Sequence, residues 1–401
     1  MKHGEYGTTY IWQRPDWPVW RYDLRRLAGP LAEVSQLQGR LLGRLSDVGM
    51  VLRSEASLVA LTDDVVKTSA IEGEQLDVAS VRSSVARRLG VDAGALAPVD
   101  RHVEGVVAMV LDATLDAHAT LTAERLQAWH TALFPTGYSN LTRLRVGAWR
   151  DDATGPMQVV SGPMHRHKVH YEAPPAVCLD VEMTRFLEWA NADTGEPALI
   201  KAALAHLWFV TLHPFDDGNG RMARAVGDLF LARADDSPQR FYSLSAEIQR
   251  RRSAYYDVLE RTQKGSLEVD EWLTWFLATL RDAIAAAQVS LDGVLAKARF
   301  WRHWASTPMN PRQVKLVNRL LDGFEGKLTS GKWAAIAKSS TDTALRDINE
   351  LIALGMLRRA EGGGRSTSYE LAPVEPDQVP GTESVDRRTK PMAHPTRPID
   401  R

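Results

Sequence analysis

Apolar positions recur at helical spacing through most of the chain. Leu31, Val34, Leu41 and Leu45 mark one amphipathic helix. Asp77 can cap a helix that runs to about Leu89 and ends at Gly90. Val103 to Ala119 and Thr122 to Leu133 carry two more, and Asp270 opens a long helix, apolar on one side, that reaches about Leu295. Strand-like stretches are few. Gln158 to Gly162 and Lys168 to Glu172 are short β-prone runs separated by Gly, Pro and His, which predicts a hairpin. The pattern as a whole predicts a mainly α protein.

One stretch stands apart. The apolar run Ala202 to Leu212 predicts a buried helix, and Pro214 ends it, because the residue before a proline is pushed out of the α region. A second helix follows, with Met222, Val226, Leu229 and Phe230 on one face. Between them, His213 to Arg224 form a tight loop and a helix start. Gly218 and Gly220 flank Asn219, which permits positive φ and close approach of a ligand to the backbone. Free N–H groups at a helix start make an anion site. Arg221 and Arg224, three apart, add guanidinium forks suited to phosphate oxygens. Asp217 is a hard oxygen ligand of the kind that holds Mg²⁺ beside phosphates. His213, with a free pKa of ~6.5, can take a proton from an attacking hydroxyl. Phe215 packs inward. Base, metal ligand, anion cradle and two cations point to nucleophilic attack on a phosphate.

Composition narrows the setting. The chain has 401 residues and a formal net charge of −1, so no global field argues for nucleic acid or membrane. Cys178 is the one cysteine, which suits a reducing compartment. No apolar stretch reaches the ~18 residues of a spanning helix, and the reading is a soluble, cytoplasmic protein.

The loop also fits a signature, His-x-Phe-x-(Asp/Glu)-Gly-Asn-Gly-Arg-x-x-Arg, and so resembles the Fic family at every defined position. The resemblance implies a Fic-type helical core that transfers AMP from Mg-ATP to a hydroxyl of a target protein. His213 would then be the general base and Asp217 the Mg²⁺ ligand. Gly218, Asn219, Gly220 and Arg221 would hold the α- and β-phosphates, and Arg224 the γ-phosphate. It implies further that the hairpin (Val159, Val160, Ser161, Gly162) is a flap that pairs with an extended target segment. Thr68-x-x-x-Glu72-Gly73 resembles the inhibitory motif of many Fic proteins, in which the glutamate pairs with the second arginine, here Arg224. From spacing alone, Thr62 or Asp63 caps that helix and Glu72 is its last residue, either solvated or facing a cation. In some relatives the same glutamate assists removal of AMP.

The remaining segments leave alternatives open. The arm before residue 30, with Tyr10, Trp12, Trp17, Trp20 and Tyr22, either packs its rings on the body or docks a target. Tyr255 and Tyr256 are candidates for a wall against adenine, or helix packing. His165, His167 and His170 cluster without the acidic or cysteine ligands of a metal site. Residues 309–372 resemble a winged helix-turn-helix, with helices at Pro311–Leu321, Gly331–Ala337 and from Ser339, and a wing around Gly362 to Arg365. Arg346 and the wing arginines could meet DNA. Ten Lys/Arg against seven Asp/Glu is a thin surplus for that, and protein contact is the other use. From Pro373 on, six prolines and few large apolar residues predict disorder. The expected layout is an N-terminal helical domain with the inhibitory motif at 1–100, a Fic domain at 101–298, a winged helix at 299–372 and a tail at 373–401. Self-modification and a homodimer stay open. So do two other functions: AMP removal, or transfer of another phosphate-linked group, at the same site, and a DNA-bound regulator that senses nucleotide.

Overall fold

The computed structural model describes residues 9–92, 97–162, 166–237, 239–324, 326–360 and 367–373. Its contacts divide the chain into two units, one running to Leu295 and one beginning at Ala296.

The first unit starts with the aromatic arm, which packs its rings. Tyr10, Ile11 and Trp17 are buried, and Trp17 and Trp20 meet Trp208 edge-on. The Arg21 N–H bonds the Leu267 carbonyl at 2.8 Å, and the Val269 N–H bonds that of Arg21 at 2.9 Å. Helix α1 (Leu24–Ser46) is capped by Asp23 and buries Leu27, Val34, Leu41 and Leu45. Helix α2 (Met50–Ile71) is longer than its cap signals predict. Thr62 and Asp63 lie inside it rather than at its start. The apolar side of Ala56, Leu58, Leu61 and Val65 runs unbroken past them. Tertiary packing overrides the local capping preference. The adjacent Asp64 turns away from its own helix and binds the Ser243 hydroxyl (2.7 Å) and the Ser245 N–H (3.2 Å). Helix α3 (Val78–Leu89) begins at the Asp77 cap and stops at Gly90, φ 66°.

Helix α4 (Arg101–Leu115) ends at an Asp116 cap, short of the expected Ala119. Helix α5 (Ala123–Leu133) crosses it so closely that a Cβ on Gly105 would lie 1.8 Å from the Ala132 carbonyl oxygen. A small hairpin follows, β1 (Tyr138–Ser139) with β2 (Thr142–Arg143). The expected second hairpin is present as β3 (Gln158–Ser161) and β4 (Lys168–Glu172), antiparallel, with a bulge between Val159 and Val160. The Tyr171 hydroxyl anchors β4 to the Thr211 carbonyl at 2.6 Å. Helix α6 (Leu179–Asn191) then leads to the central pair, α7 (Ala198–Leu212) and α8 (Asn219–Asp235). Leu199, Ile200 and every residue from Ala202 to Leu212 are buried, so this part of α7 has no polar face. Gly227 of α8 lets His206 of α7 approach, with Nδ1 3.2 Å from where a Cβ would sit. Helices α9 (Leu244–Arg250) and α10 (Arg252–Gln263) and the part of α11 (Asp270–His303) up to Leu295 close the unit; α11 itself runs past the expected Leu295. Trp272 of α11 is buried, and its indole N–H bonds the Ala203 carbonyl at 2.8 Å.

The second unit has its own core around Leu316, Val317, Trp333, Ile348 and Leu351. Asn310 and Gln313 form a capping box at α12 (Pro311–Leu321). Helices α13 (Ser330–Ala337) and α14 (Thr341–Ala353) follow, then β5 (Leu357–Arg359) paired with β6 (Tyr369–Leu371). Arg312 holds Asp347 at 2.9 Å, and Arg346 is exposed. The expected glycine wing at 362–365 and the tail beyond Pro373 lie outside the described residues.

Two consequences can be measured. Gly105→Ala would force α4 and α5 apart and should lower stability by about 1–3 kcal/mol or more, read as a lower urea midpoint. His130 and His206 are buried, and burial pulls their pKa values down to about 4 and about 3. The unfolded chain therefore binds protons that the folded one refuses once the pH drops below ~6.5. Stability should fall from pH 7 to pH 5, each histidine contributing up to ~1.4 kcal/mol per pH unit. An unchanged urea midpoint at pH 5 would contradict this account.

Candidate active site

The site is built where α7 stops and α8 starts. His213 closes α7 in the left-handed region, φ 50° and ψ 56°, a strained setting for a residue with a side chain. Two polar staples and an aromatic stack hold this turn in place. Buried Arg150 donates from Nε to the His213 carbonyl (2.8 Å) and from Nη2 to the Pro174 carbonyl (2.5 Å), and pairs through Nη1 with Asp152 (2.8 Å). The Asn219 side chain accepts from the Phe215 N–H (3.0 Å) and donates to the Phe215 carbonyl (2.7 Å). The fully buried Phe215 ring stacks on His130 with centroids 4.2 Å apart. Arg150 sits in the stretch Gly147 to Arg150, but nothing in the sequence pattern assigns it to the loop, because the contact spans sixty-three residues.

His213 Nδ1 lies 3.0 Å from the Val210 carbonyl. A carbonyl only accepts, so Nδ1 carries the proton and the neutral ring keeps Nε2 as its basic atom. Burial pushes the imidazole pKa below its ordinary value; the Val210 bond opposes this and the Arg150 charge adds to it. The ring is therefore neutral, and basic at Nε2, near pH 7.

Gly218 caps α8 with φ 79°, a conformation that favours glycine. Asp217 accepts the Gly218 N–H at 2.6 Å and the Ser139 hydroxyl at 2.5 Å. Ser139, on the small β1–β2 hairpin, is a neighbour the sequence reading missed. His213, Asp217, Gly218, Asn219 and Gly220 line one cleft of about 690 Å³, within the range of small-molecule sites. Glu72 lines it as well.

The two arginines at the start of α8 are buried rather than solvated. Arg224 donates from Nη2 to Glu72 Oε1 (2.7 Å) and to the Thr68 carbonyl (2.9 Å), and from Nε to the Thr68 hydroxyl (2.7 Å). Glu72 is the C-cap of α2, one position past the last helical residue. Its carboxylate lies against the glycine loop: a Cβ on Gly220 would sit 2.2 Å from Oε1. Burial disfavours the charge on Arg224, and Glu72 leads the interactions that more than offset it, so the guanidinium pKa is raised. Arg221 meets a second acid that the sequence reading did not single out. Its Nη1 donates to Glu74 Oε2 at 2.8 Å. The signal was an acid on each side of Gly73. Among the described residues, Arg221 Nε and Arg224 Nη1 are buried without a partner.

The other expected residues fall nearby. Val159, Val160 and Ser161 line the cleft, with Val160 half exposed; Gly162 lies beyond the strand at φ 93°. Tyr255 and Tyr256 also line it. Tyr255 is almost wholly buried, its hydroxyl 2.9 Å from His206 Nε2 and its ring beside Trp272 and Trp275. Tyr256 is the more open of the two, with Arg252 over its ring. His170 bonds Glu260 (2.6 Å) and Ser161 (2.6 Å), while His165 lies outside the described residues. Among the described residues, no group of three or more His, Cys, Asp and Glu could hold a metal, and no helix is long and apolar enough to cross a membrane.

Comparison with known proteins converges on the same loop. Residues 120–231 match the family described as Fic/DOC, and residues 10–91 match a domain of unknown function, DUF4172. The protein adenylyltransferase Fic of Aedes aegypti is 27% identical over 235 residues, which are 56% of this chain and 42% of that protein. Its counterpart in Culex quinquefasciatus is 37% identical over 93 residues, 22% of this chain and 17% of that one. The chain thus spans less than half the length of these curated relatives. The crystal structure of a Fic family protein from Desulfovibrio desulfuricans G20 superposes with a TM-score of 0.50 at 21% identity, covering 86% of this chain and 95% of that one, and shares the fold. With the signature loop falling inside the match at 120–231, this chain carries a Fic domain.

Proposed function

We propose that the chain is a protein adenylyltransferase, moving AMP from ATP to a hydroxyl of a target protein, and that Glu72 holds it inactive. The observation that carries this reading is the arrangement at the start of α8. A histidine with a free Nε2 shares one cleft with a glycine loop, and the guanidinium beside that loop is taken up by an acid from another helix. The curated relatives named protein adenylyltransferase support it at the level of the domain.

In this reading the target hydroxyl attacks the α-phosphorus in line. A new oxygen–phosphorus bond forms as the bond to the pyrophosphate oxygen breaks. The hydroxyl proton passes to His213 Nε2, which is neutral near pH 7 and can accept it. The N–H groups of the glycine loop and the dipole of α8 take up charge on the α- and β-phosphates. The unpartnered Arg221 Nε and Arg224 Nη1 are the kind of buried donors that a polyphosphate would satisfy. Asp217, steadied by Ser139 and its own loop, would hold Mg²⁺, which when bound would neutralise phosphate charge. The exposed β3 edge at Val160 and Ser161 would receive an extended segment of the target by strand pairing.

Inhibition follows from the Arg224–Glu72 pair. The guanidinium that should meet the γ-phosphate is occupied, and a carboxylate lies where phosphate oxygens would sit. ATP then binds with its α-phosphorus out of line with the attacking oxygen. The proposed layout keeps the inhibitory segment N-terminal to the Fic domain in the same chain. Residues 299–372 then form a winged helix, and the thin positive surplus of 309–372 fits protein contact better than DNA. A cytoplasmic setting suits an enzyme that uses ATP.

Glu72→Gly should raise transfer of label from α-phosphate-labelled ATP, to the chain itself or to a lysate protein, by at least tenfold, ~1.4 kcal/mol of restored alignment. Adding His213→Ala should abolish the gain. Equal labelling of the Glu72 variant and the parent chain would remove the inhibitory role.

A further inference from the structure

We propose that Glu74 is a second inhibitory acid, acting on Arg221 as Glu72 acts on Arg224, so that each arginine of the phosphate cradle has its own plug. This rests on the adenylyl-transfer reading above.

The chain geometry after α2 puts both acids in reach of α8. Gly73 turns at φ 90°. The turn is tied back to the helix by the Glu72 N–H to the Ser69 carbonyl (3.0 Å), Gly73 N–H to Ala70 (3.1 Å) and Glu74 N–H to Ser69 (3.1 Å). The acids on either side of the glycine are therefore presented from a fixed backbone. Glu72 goes to Arg224 at 2.7 Å and Glu74 to Arg221 at 2.8 Å, with no guanidinium or carboxylate in common. A third element braces the second pair. His102, from the first turn of α4, lies 3.2 Å from the same Glu74 oxygen. The hydrogen bond to His102 is foremost in holding the Glu74 carboxyl below its usual range, with the Arg221 charge assisting and burial opposing.

The Arg221–Glu74 pair does not look like a structural bridge. Arg221 is almost entirely buried, yet it offers five donors and meets, among the described residues, one carboxylate oxygen and the face of Phe134, 5.1 Å away. Its Nε has no partner among the described residues. A guanidinium kept for stability alone would have its donors met, because each unmet one opposes burial. A diphosphate brings several more acceptors than Glu74 supplies. Glu74 is also the more exposed partner, so it can swing out once a stronger anion arrives. Until then its charge stands where the α- and β-phosphates are to be gripped.

ADP isolates this contact, because it carries the two phosphates assigned to Arg221 and lacks the γ-phosphate assigned to Arg224. Titration calorimetry of the full chain with ADP and Mg²⁺ should show Glu74→Gln binding about tenfold more tightly than the parent, ~1.4 kcal/mol of relieved repulsion, whether or not Glu72 is replaced. Glu74→Ala should repeat the gain, which guards against a fault of one variant. In an Arg221→Ala background the same substitutions should change nothing, since the acid is argued to act only through that guanidinium. ADP affinity within twofold of the parent in both Glu74 variants, or the gain persisting without Arg221, overturns the proposal. If ADP binds the parent and Glu72→Gly chains but Glu74 has no influence, the second plug alone falls. If no variant binds ADP, the adenylyl-transfer reading falls, and this proposal with it.

Discussion

A buried guanidinium keeps its charge and so must be given an anion. The first turns of α8 place two of them, Arg221 and Arg224, out of water, and the rest of the active region is arranged around that demand. The anions come from one short turn, Glu72-Gly73-Glu74, at the end of α2. The segment before the Fic domain is thereby joined to the cradle by charge as well as by apolar packing. Any other anion approaching either guanidinium competes with an acid already delivered at hydrogen-bond distance.

The loop between α7 and α8 is kept in one shape by polar bonds that reach well beyond it. Arg150 grips the carbonyl of a histidine in a left-handed conformation, and Asn219 closes a ring on Phe215. His130 stacks on Phe215 from α5, while Ser139 holds Asp217 from the first hairpin. Groups fixed before a ligand arrives need no reorganisation when it does, and such preorganised polar groups stabilise charge better than groups that must first rearrange. The strained His213 backbone is maintained by this surrounding network.

The N-terminal arm has a part in the same arrangement. Tyr10 packs edge-on against Tyr171 at 5.2 Å, and the Trp12 indole N–H bonds the Glu172 carbonyl at 2.9 Å. These contacts brace β4, the inner strand of the hairpin, and leave Val160 of β3 exposed at its edge. The α2 end and the arm both belong to the matched region 10–91, so that region touches the cleft at the cradle and behind the hairpin.

The sequence alone determined what repeats locally or falls within a few residues. Helical periodicity, the Asp77 and Gly90 caps and the α7–loop–α8 order were legible, and so was the gathering of His213, Asp217, Gly218, Asn219 and Gly220 at one place, because those residues lie close along the chain. Its errors were also local. Thr62 and Asp63 look like the start of a helix, but continuing burial carries α2 straight through them. Only the tertiary structure decided which distant groups meet. It buried Arg221 and Arg224, which spacing alone does not decide. It sent Arg150 to His213 and Ser139 to Asp217, and it made Glu74 a partner of Arg221 across one hundred and forty-seven residues. Spacing along a chain sets which side chains share a helix face, whereas the pairing of charges across elements depends on how apolar surfaces stack, and no short-range pattern encodes that.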